Sequence, residues 1–88
     1  MSPAQPVGAA EIDAVLRAEF APTELQVRDD SARHAGHAGA AGGGHFAVLM
    51  RSARFAGLSR VARHRLVYDA LGMLIARGIH ALALDLDT

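Results

Sequence analysis

The chain has 88 residues, no cysteine, and basic and acidic side chains in equal number, so its formal net charge at pH 7 is zero. That length supports one domain with a modest core, and the lack of thiols excludes a disulfide framework, a thiolate nucleophile and a four-cysteine metal centre. Neutrality also argues against indiscriminate electrostatic capture of nucleic acid.

Residues 1–8, with Pro3 and Pro6, read as a flexible N-terminus, leaving residues 9–88 as the single domain. The start has no basic stretch followed by an apolar one, and no later apolar run reaches the roughly 20 residues of a membrane span. A cytoplasmic protein without membrane association is expected.

Over residues 9–20, Ile12, Val15, Leu16 and Phe20 recur at helical spacing, with Glu11 and Asp13 early, where the helix dipole favours acids. Pro22 biases Ala21 away from helical geometry and ends this helix. Residues 25–29 then alternate Leu25 and Val27 against Gln26 and Arg28, the period of a half-buried strand. Residues 31–44 have no apolar periodicity and are too rich in glycine to order cheaply, which predicts a long mobile loop. Alternation resumes over residues 45–51 with Phe46, Val48 and Met50 on one side, predicting a second strand antiparallel to the first. The connection exceeds the usual hairpin length, a hint of function or of tolerated disorder.

Winding residues 59–77 at about 100° per residue puts Val67, Ala70, Leu71, Leu74 and Ile75 on one stripe, with Arg65, Asp69 and Ala76 opposite. Gly57 permits a tight turn ahead of this helix, Ser59 can cap it, Gly78 can stop it, and a short helical turn fits just upstream. Residues 80–86 alternate again, with Leu82, Leu84 and Leu86 of one parity. Strand, crossover helix and strand form a right-handed unit, so the prediction is an α+β domain with a mixed three-stranded sheet and helices on one face.

The charges are sorted along the chain. No Asp or Glu occurs between Ser31 and Tyr68, whereas Arg33, Arg51, Arg54, Arg60, Arg63 and Arg65 all fall there. If the middle third presents one surface, it is a basic patch on a neutral protein. The plainer reading is a set of solvated side chains and surface pairs such as Arg65 with Asp69.

Histidine is the richest class of candidate ligand. His34 and His37 stand as His-x-x-His in the glycine-rich segment, a spacing that fits one ion but is nonspecific. His80 has the parity of Leu82 and Leu84, which puts it at the margin of the helix-covered face. His64 lies on the stripe with Val67 and Leu71 and suits a packed histidine. His45 fits loop anchoring as well as any chemistry. Ser31, Ser52 and Ser59 lack a nucleophile-elbow context, and Gly42 to Gly44 leads into a strand rather than a helix, so no catalytic residue or phosphate cradle is assigned.

The motifs Leu25-x-Val27-x-Asp29-Asp30-Ser31, His45-Phe46, Phe55-x-Gly57, Arg63-His64-Arg65-x-Val67-Tyr68 and Ile79-His80-Ala81-Leu82-Ala83-Leu84 together resemble the signature of the BolA family. Gly57, His64 and Tyr68 belong to that signature. The resemblance implies a fold related to the type II KH domain, in the order helix, strand, strand, helices, strand. It implies no enzyme but an adaptor, monomeric when isolated, that pairs with a monothiol glutaredoxin and shares a [2Fe–2S] cluster in iron–sulfur assembly or iron regulation. An invariant family histidine then maps onto His80, and a loop ligand maps onto His34, with His37 competing.

Clusters of this kind are held mainly by thiolates, so a chain without cysteine offers half a site and needs sulfur ligands from the partner and glutathione. The resemblance also implies an alternative, a DNA-binding transcriptional regulator of stress response or morphology that uses Arg51, Arg54, Arg60, Arg63 and Arg65 on phosphates or on an acidic partner. KH-type domains grip nucleic acid through a GxxG turn. Here the corresponding Gly57-Leu58-Ser59-Arg60 lacks the second glycine.

Overall fold

A computed structural model describes residues 7–31 and 44–88. Helix α1 (Ala9–Phe20) leads into strands β1 (Glu24–Asp29) and β2 (Gly44–Arg51), followed by a 3₁₀ turn (Ala53–Phe55), helices α2 (Arg60–Ala70) and α3 (Gly72–Arg77), and strand β3 (Ile79–Asp87). The strands form one sheet in the order β1-β2-β3, antiparallel between the first two and parallel between the last two. This is the mixed α+β arrangement that the apolar periodicities predict.

Register explains why the sheet has one buried face. Leu25 lies opposite Met50 and Val27 opposite Val48, while Phe46, Val48 and Met50 lie opposite Leu82, Leu84 and Leu86. These residues pack against Ile12, Leu16 and Phe20 of α1 and against Val67, Leu71 and Leu74 of the other helices. Each large aliphatic side chain sealed there contributes roughly 1.5–3 kcal/mol relative to exposure, and without disulfides this packing carries the stability. The opposite face, with Gln26, Arg28, Ala47, Leu49, Ala83 and Asp85, stays open as a shallow depression. Val7, placed by sequence in the N-terminal tail, is buried with the core.

The local signals act as their chemistry suggests. Ala21 ends α1 in the left-handed region, at φ 42° and ψ 55°, and its N–H donates to the Arg17 carbonyl. Gly57 takes φ +74°, which a residue with a Cβ rarely adopts, and Ser59 Oγ then accepts from the Ala62 N–H. The single helix expected over residues 59–77 is instead two. Leu71, at φ −93° and ψ 8°, separates α2 from α3, and the poor helix former Gly72 follows it. The apolar stripe survives the break because Leu71 still donates to the Val67 carbonyl and accepts from the Ile75 N–H.

β2 starts one residue earlier than predicted, at Gly44. A Cβ there would collide with the buried Phe46 ring, so this glycine is a packing requirement as well as a loop residue. The mobile loop expected from the glycine-rich segment falls largely outside the described residues.

Candidate functional site

The first residues of β3 depart from strict alternation. Ile79 pairs with Gly44 and Ala81 with His45, so β3 carries one extra residue, His80, at a slip in register. Such a bulge lets consecutive residues keep one facing. Ile79 is buried and Leu82 half-buried although their parities differ, and His80 and Ala81 are both exposed. Alternation counted back from Leu82 and Leu84 puts His80 at the margin of the covered face; the register slip turns it outward to solvent.

Among the described residues, a ring beside His80 comes from the neighbouring strand. The His45 and His80 imidazoles have centroids 5.2 Å apart, with planes inclined at 49°. His45 is half-buried, and its backbone is held on both sides: its N–H donates to Ser31 Oγ at 3.0 Å and its carbonyl accepts from the Asp30 N–H at 2.7 Å. Ser31 in turn is fixed by a bond from its own N–H to Asp29 Oδ1. His45 therefore does anchor the two ends of the glycine-rich segment, and in addition it brings an imidazole beside His80. The sequence offers only the His45-Phe46 pair at a strand start as a signal for this. Adjacency across parallel strands depends on a register that no local pattern reveals.

His34 and His37 lie outside the described residues. His64 is half-buried, lining with Arg60, Arg63, Leu84 and Asp85 a hollow of about 490 Å³ between α2 and β3. Among the described residues, no group of three or more His, Asp or Glu side chains could hold a metal ion.

The arginines divide into two sets. Arg51 pairs with Glu24 at 3.0 Å, and Arg54 donates to the Glu19 carbonyl at 2.6 Å while its guanidinium stands 5.2 Å from the Phe20 ring centroid. Arg63 donates to the Phe55 and Leu86 carbonyls and lies 3.7 Å from the Asp87 carboxylate. Arg60 and Arg65 make no hydrogen bond or ion pair among the described residues, so the expected Arg65–Asp69 pair is not formed. These two flank a strip of α2 that carries the exposed Val61 and Tyr68 and the half-buried His64. The basic patch of the sequence thus contracts to one helix face.

The serines are structural. Ser52 is fully buried, its Oγ donating to the Phe20 carbonyl at 2.7 Å and accepting from the Arg54 N–H. No helix among the described residues is long and apolar enough to cross a membrane.

A family model described as BolA-like protein matches residues 16–88. The chain belongs to the BolA family. BolA-like protein 1 of Mus musculus is 44% identical over 85 residues, covering 97% of this chain and 60% of that protein. The DNA-binding transcriptional regulator BolA of Escherichia coli (strain K12) is 42% identical over 73 residues, covering 83% of this chain and 68% of that one. In structure, the BolA domain of SufE1 from Arabidopsis thaliana superposes with a TM-score of 0.82 at 39% identity, covering 97% of this chain and 95% of that domain. The chain thus spans less than two thirds of the mouse relative while matching the Arabidopsis BolA domain nearly end to end. The three helices and mixed sheet described above are the BolA fold.

Proposed function

We propose that this chain is a BolA-type adaptor that receives or hands on a [2Fe–2S] cluster in a complex with a monothiol glutaredoxin. The supporting observation is the exposure of His80 at the bulge that opens β3, beside the strand end from which the glycine-rich segment departs. An imidazole in that position is accessible to a second protein. The cluster is cargo here, and the donor chemistry suits half of its coordination: the chain offers imidazole and no thiolate, so the sulfur ligands come from the partner and glutathione. His34 or His37 completes the contribution of this chain.

The test is to mix the protein, expected to be colourless when isolated, with cluster-loaded glutaredoxin and follow visible absorption and circular dichroism. A new spectrum is expected with the parent and its loss with His80→Ala. The same spectrum from both proteins would remove His80 from the site.

A second reading, DNA binding in a transcriptional role, draws on the two uncommitted arginines of α2 and on the name of the Escherichia coli relative. It predicts that duplex affinity falls with salt and that Arg60→Ala and Arg65→Ala each lower the slope by about 1. Binding insensitive to salt would count against it.

A further inference from the structure

We infer that the open face of the sheet is the docking surface for a second copy of this chain, laid face to face about a two-fold axis that runs along the strands. The inference rests on neither cluster sharing nor DNA binding, and the surface lies across the sheet from α2 with its Arg60 and Arg65. The family resemblance implies a monomer, and a weak dimer departs from it.

The starting observation is the sequence of the two parallel strands. A strand with one face in water alternates, as β1 does with Leu25 and Val27 against Gln26 and Arg28, whereas parallel strands covered on both faces read as continuous apolar runs. β2 runs Phe46-Ala47-Val48-Leu49-Met50 and β3 runs Ala81-Leu82-Ala83-Leu84, apolar on both faces, although no element among the described residues covers the outer one. The result is an open depression of about 300 Å³ with Ala47, Leu49 and Ala83 at its centre and Gln26, Arg28 and Asp85 at its margins. An apolar centre within a polar rim is the anatomy of a protein interface.

Register makes that face self-complementary. Gln26, Leu49 and Asp85 form one row across the three strands, and Arg28, Ala47 and Ala83 form the next. A two-fold axis along β2 lays β1 of one copy over β3 of the other. Leu49 then meets its own counterpart beside the small Ala47 and Ala83, and each Gln26 amide faces the Asp85 carboxylate of the second copy. Gln26 and Asp85 are exposed, and their side chains make no hydrogen bond or ion pair among the described residues. Arg28 uses Nε and Nη2 on Asp30, which leaves Nη1 to reach the same carboxylate. A two-fold axis across the strands would instead stack β1 on β1 and β3 on β3, leaving both Asp85 carboxylates without a donor, so the charges select the first arrangement. At about 4.8 Å between strands and 3.3 Å per residue, the face buries on the order of 1,000 Å² over both copies, the low end for a specific interface, so association is weak.

The experiment is sedimentation equilibrium on the full chain, with a chelator present, from about 10 μM to about 1 mM. A reversible monomer–dimer equilibrium is expected. Leu49→Arg should abolish it and Asp85→Lys should weaken it about tenfold or more, with far-ultraviolet circular dichroism matching the parent as the check on folding. Gln26 and Asp85 are exposed, so their variants carry the test if Leu49→Arg fails to fold. Gln26→Glu alone sets two carboxylates against each other and should also weaken the dimer. Gln26→Glu combined with Asp85→Lys should restore it, because opposite charges then face one another between copies. Within one copy those two positions stand on strands about 10 Å apart, so the rescue reports contact between copies. A chain that stays monomeric throughout overturns the proposal and leaves the face to water or to a different protein. A dimer that survives a folded Leu49→Arg, or that the double substitution fails to restore, has its contact elsewhere and overturns the proposal equally.

Discussion

Arg63 of α2 and Leu86 near the end of β3 are joined by a hydrogen bond of 3.3 Å from Nη1 to the Leu86 carbonyl, and Nε of the same guanidinium donates to the Phe55 carbonyl at 3.1 Å. One side chain thus ties the crossover helix to the last strand and to the turn before the helix. Arg63→Ala should lower the unfolding free energy by about 1–3 kcal/mol, since two partly buried carbonyls lose a charged donor. Arg60→Ala and Arg65→Ala should stay within about 0.5 kcal/mol of the parent. Urea denaturation at neutral pH separates the two classes, and equal losses in all three variants would refute the division of the basic residues.

Ser52 sits at 0% relative exposure between the end of β2 and α1. Its hydroxyl serves Phe20 as donor and Arg54 as acceptor. Ser52→Ala should cost about 1–3 kcal/mol by leaving the Phe20 carbonyl without that partner. Ser59→Ala, which removes an exposed cap, should cost closer to about 1 kcal/mol. Thermal unfolding of the two variants side by side tests that ordering.

Gly44→Ala brings a Cβ into the Phe46 ring, and the ring is packed in the core. Overpacking of this kind typically costs about 1–3 kcal/mol. The same exchange at Gly72 meets nothing within 4 Å and replaces glycine by a better helix former, so Gly72→Ala should be neutral or stabilising. A lower melting temperature for Gly44→Ala and an unchanged or higher one for Gly72→Ala are the expected pair of results.

Glu11 and Arg77 link α1 to α3 through a two-pronged contact, Nη1 to Oε2 at 2.6 Å and Nη2 to Oε1 at 3.3 Å. The Arg77 hydrogen bond holds the Glu11 carboxyl below its ordinary value of 4.5, desolvation opposes this, and the Arg77 charge and the Gly8 N–H add to the lowering. A carboxyl whose folded-state value is depressed stabilises the fold fully above its unfolded value. That contribution disappears as the pH falls through the folded value. Parent and Glu11→Gln should therefore converge in stability as the pH drops below about 4.5. Urea midpoints measured from neutral to acidic pH check this, and a constant gap between the two proteins would exclude the linkage.

Much of the domain was legible without coordinates because its signals are local. The spacing of Ile12, Leu16 and Phe20 and the alternation of Phe46, Val48 and Met50 each report the face one element must bury, and their burial follows. Ser59 and Gly57 announce a cap and a turn through their own chemistry. The break at Leu71 leaves no mark in the sequence because the stripe continues across it: the i to i+4 bonds persist, so side-chain periodicity carries no trace of a local change in ψ.

The site was legible in kind rather than in arrangement. His80 stood out by its position at the head of a strand and by family resemblance, yet strict alternation turned it the wrong way, since a single unpaired residue reverses every facing on one side of it. Arginine clustering in sequence likewise overstated the basic surface. Long flexible side chains take the nearest carboxylates and carbonyls, and those acceptors arrive from distant segments, as Glu19 does for Arg54 and Leu86 for Arg63.

Amino-acid order by itself determined the elements, the buried face of each, the absence of thiolate ligands and the family. Tertiary structure decided which side chains meet: His45 beside His80, Arg63 locked into the frame, Arg60 and Arg65 left to solvent. The physical reason is range. Periodicity and capping act within a few residues along the chain, whereas strand register and ion pairing are fixed only when segments far apart in sequence pack together.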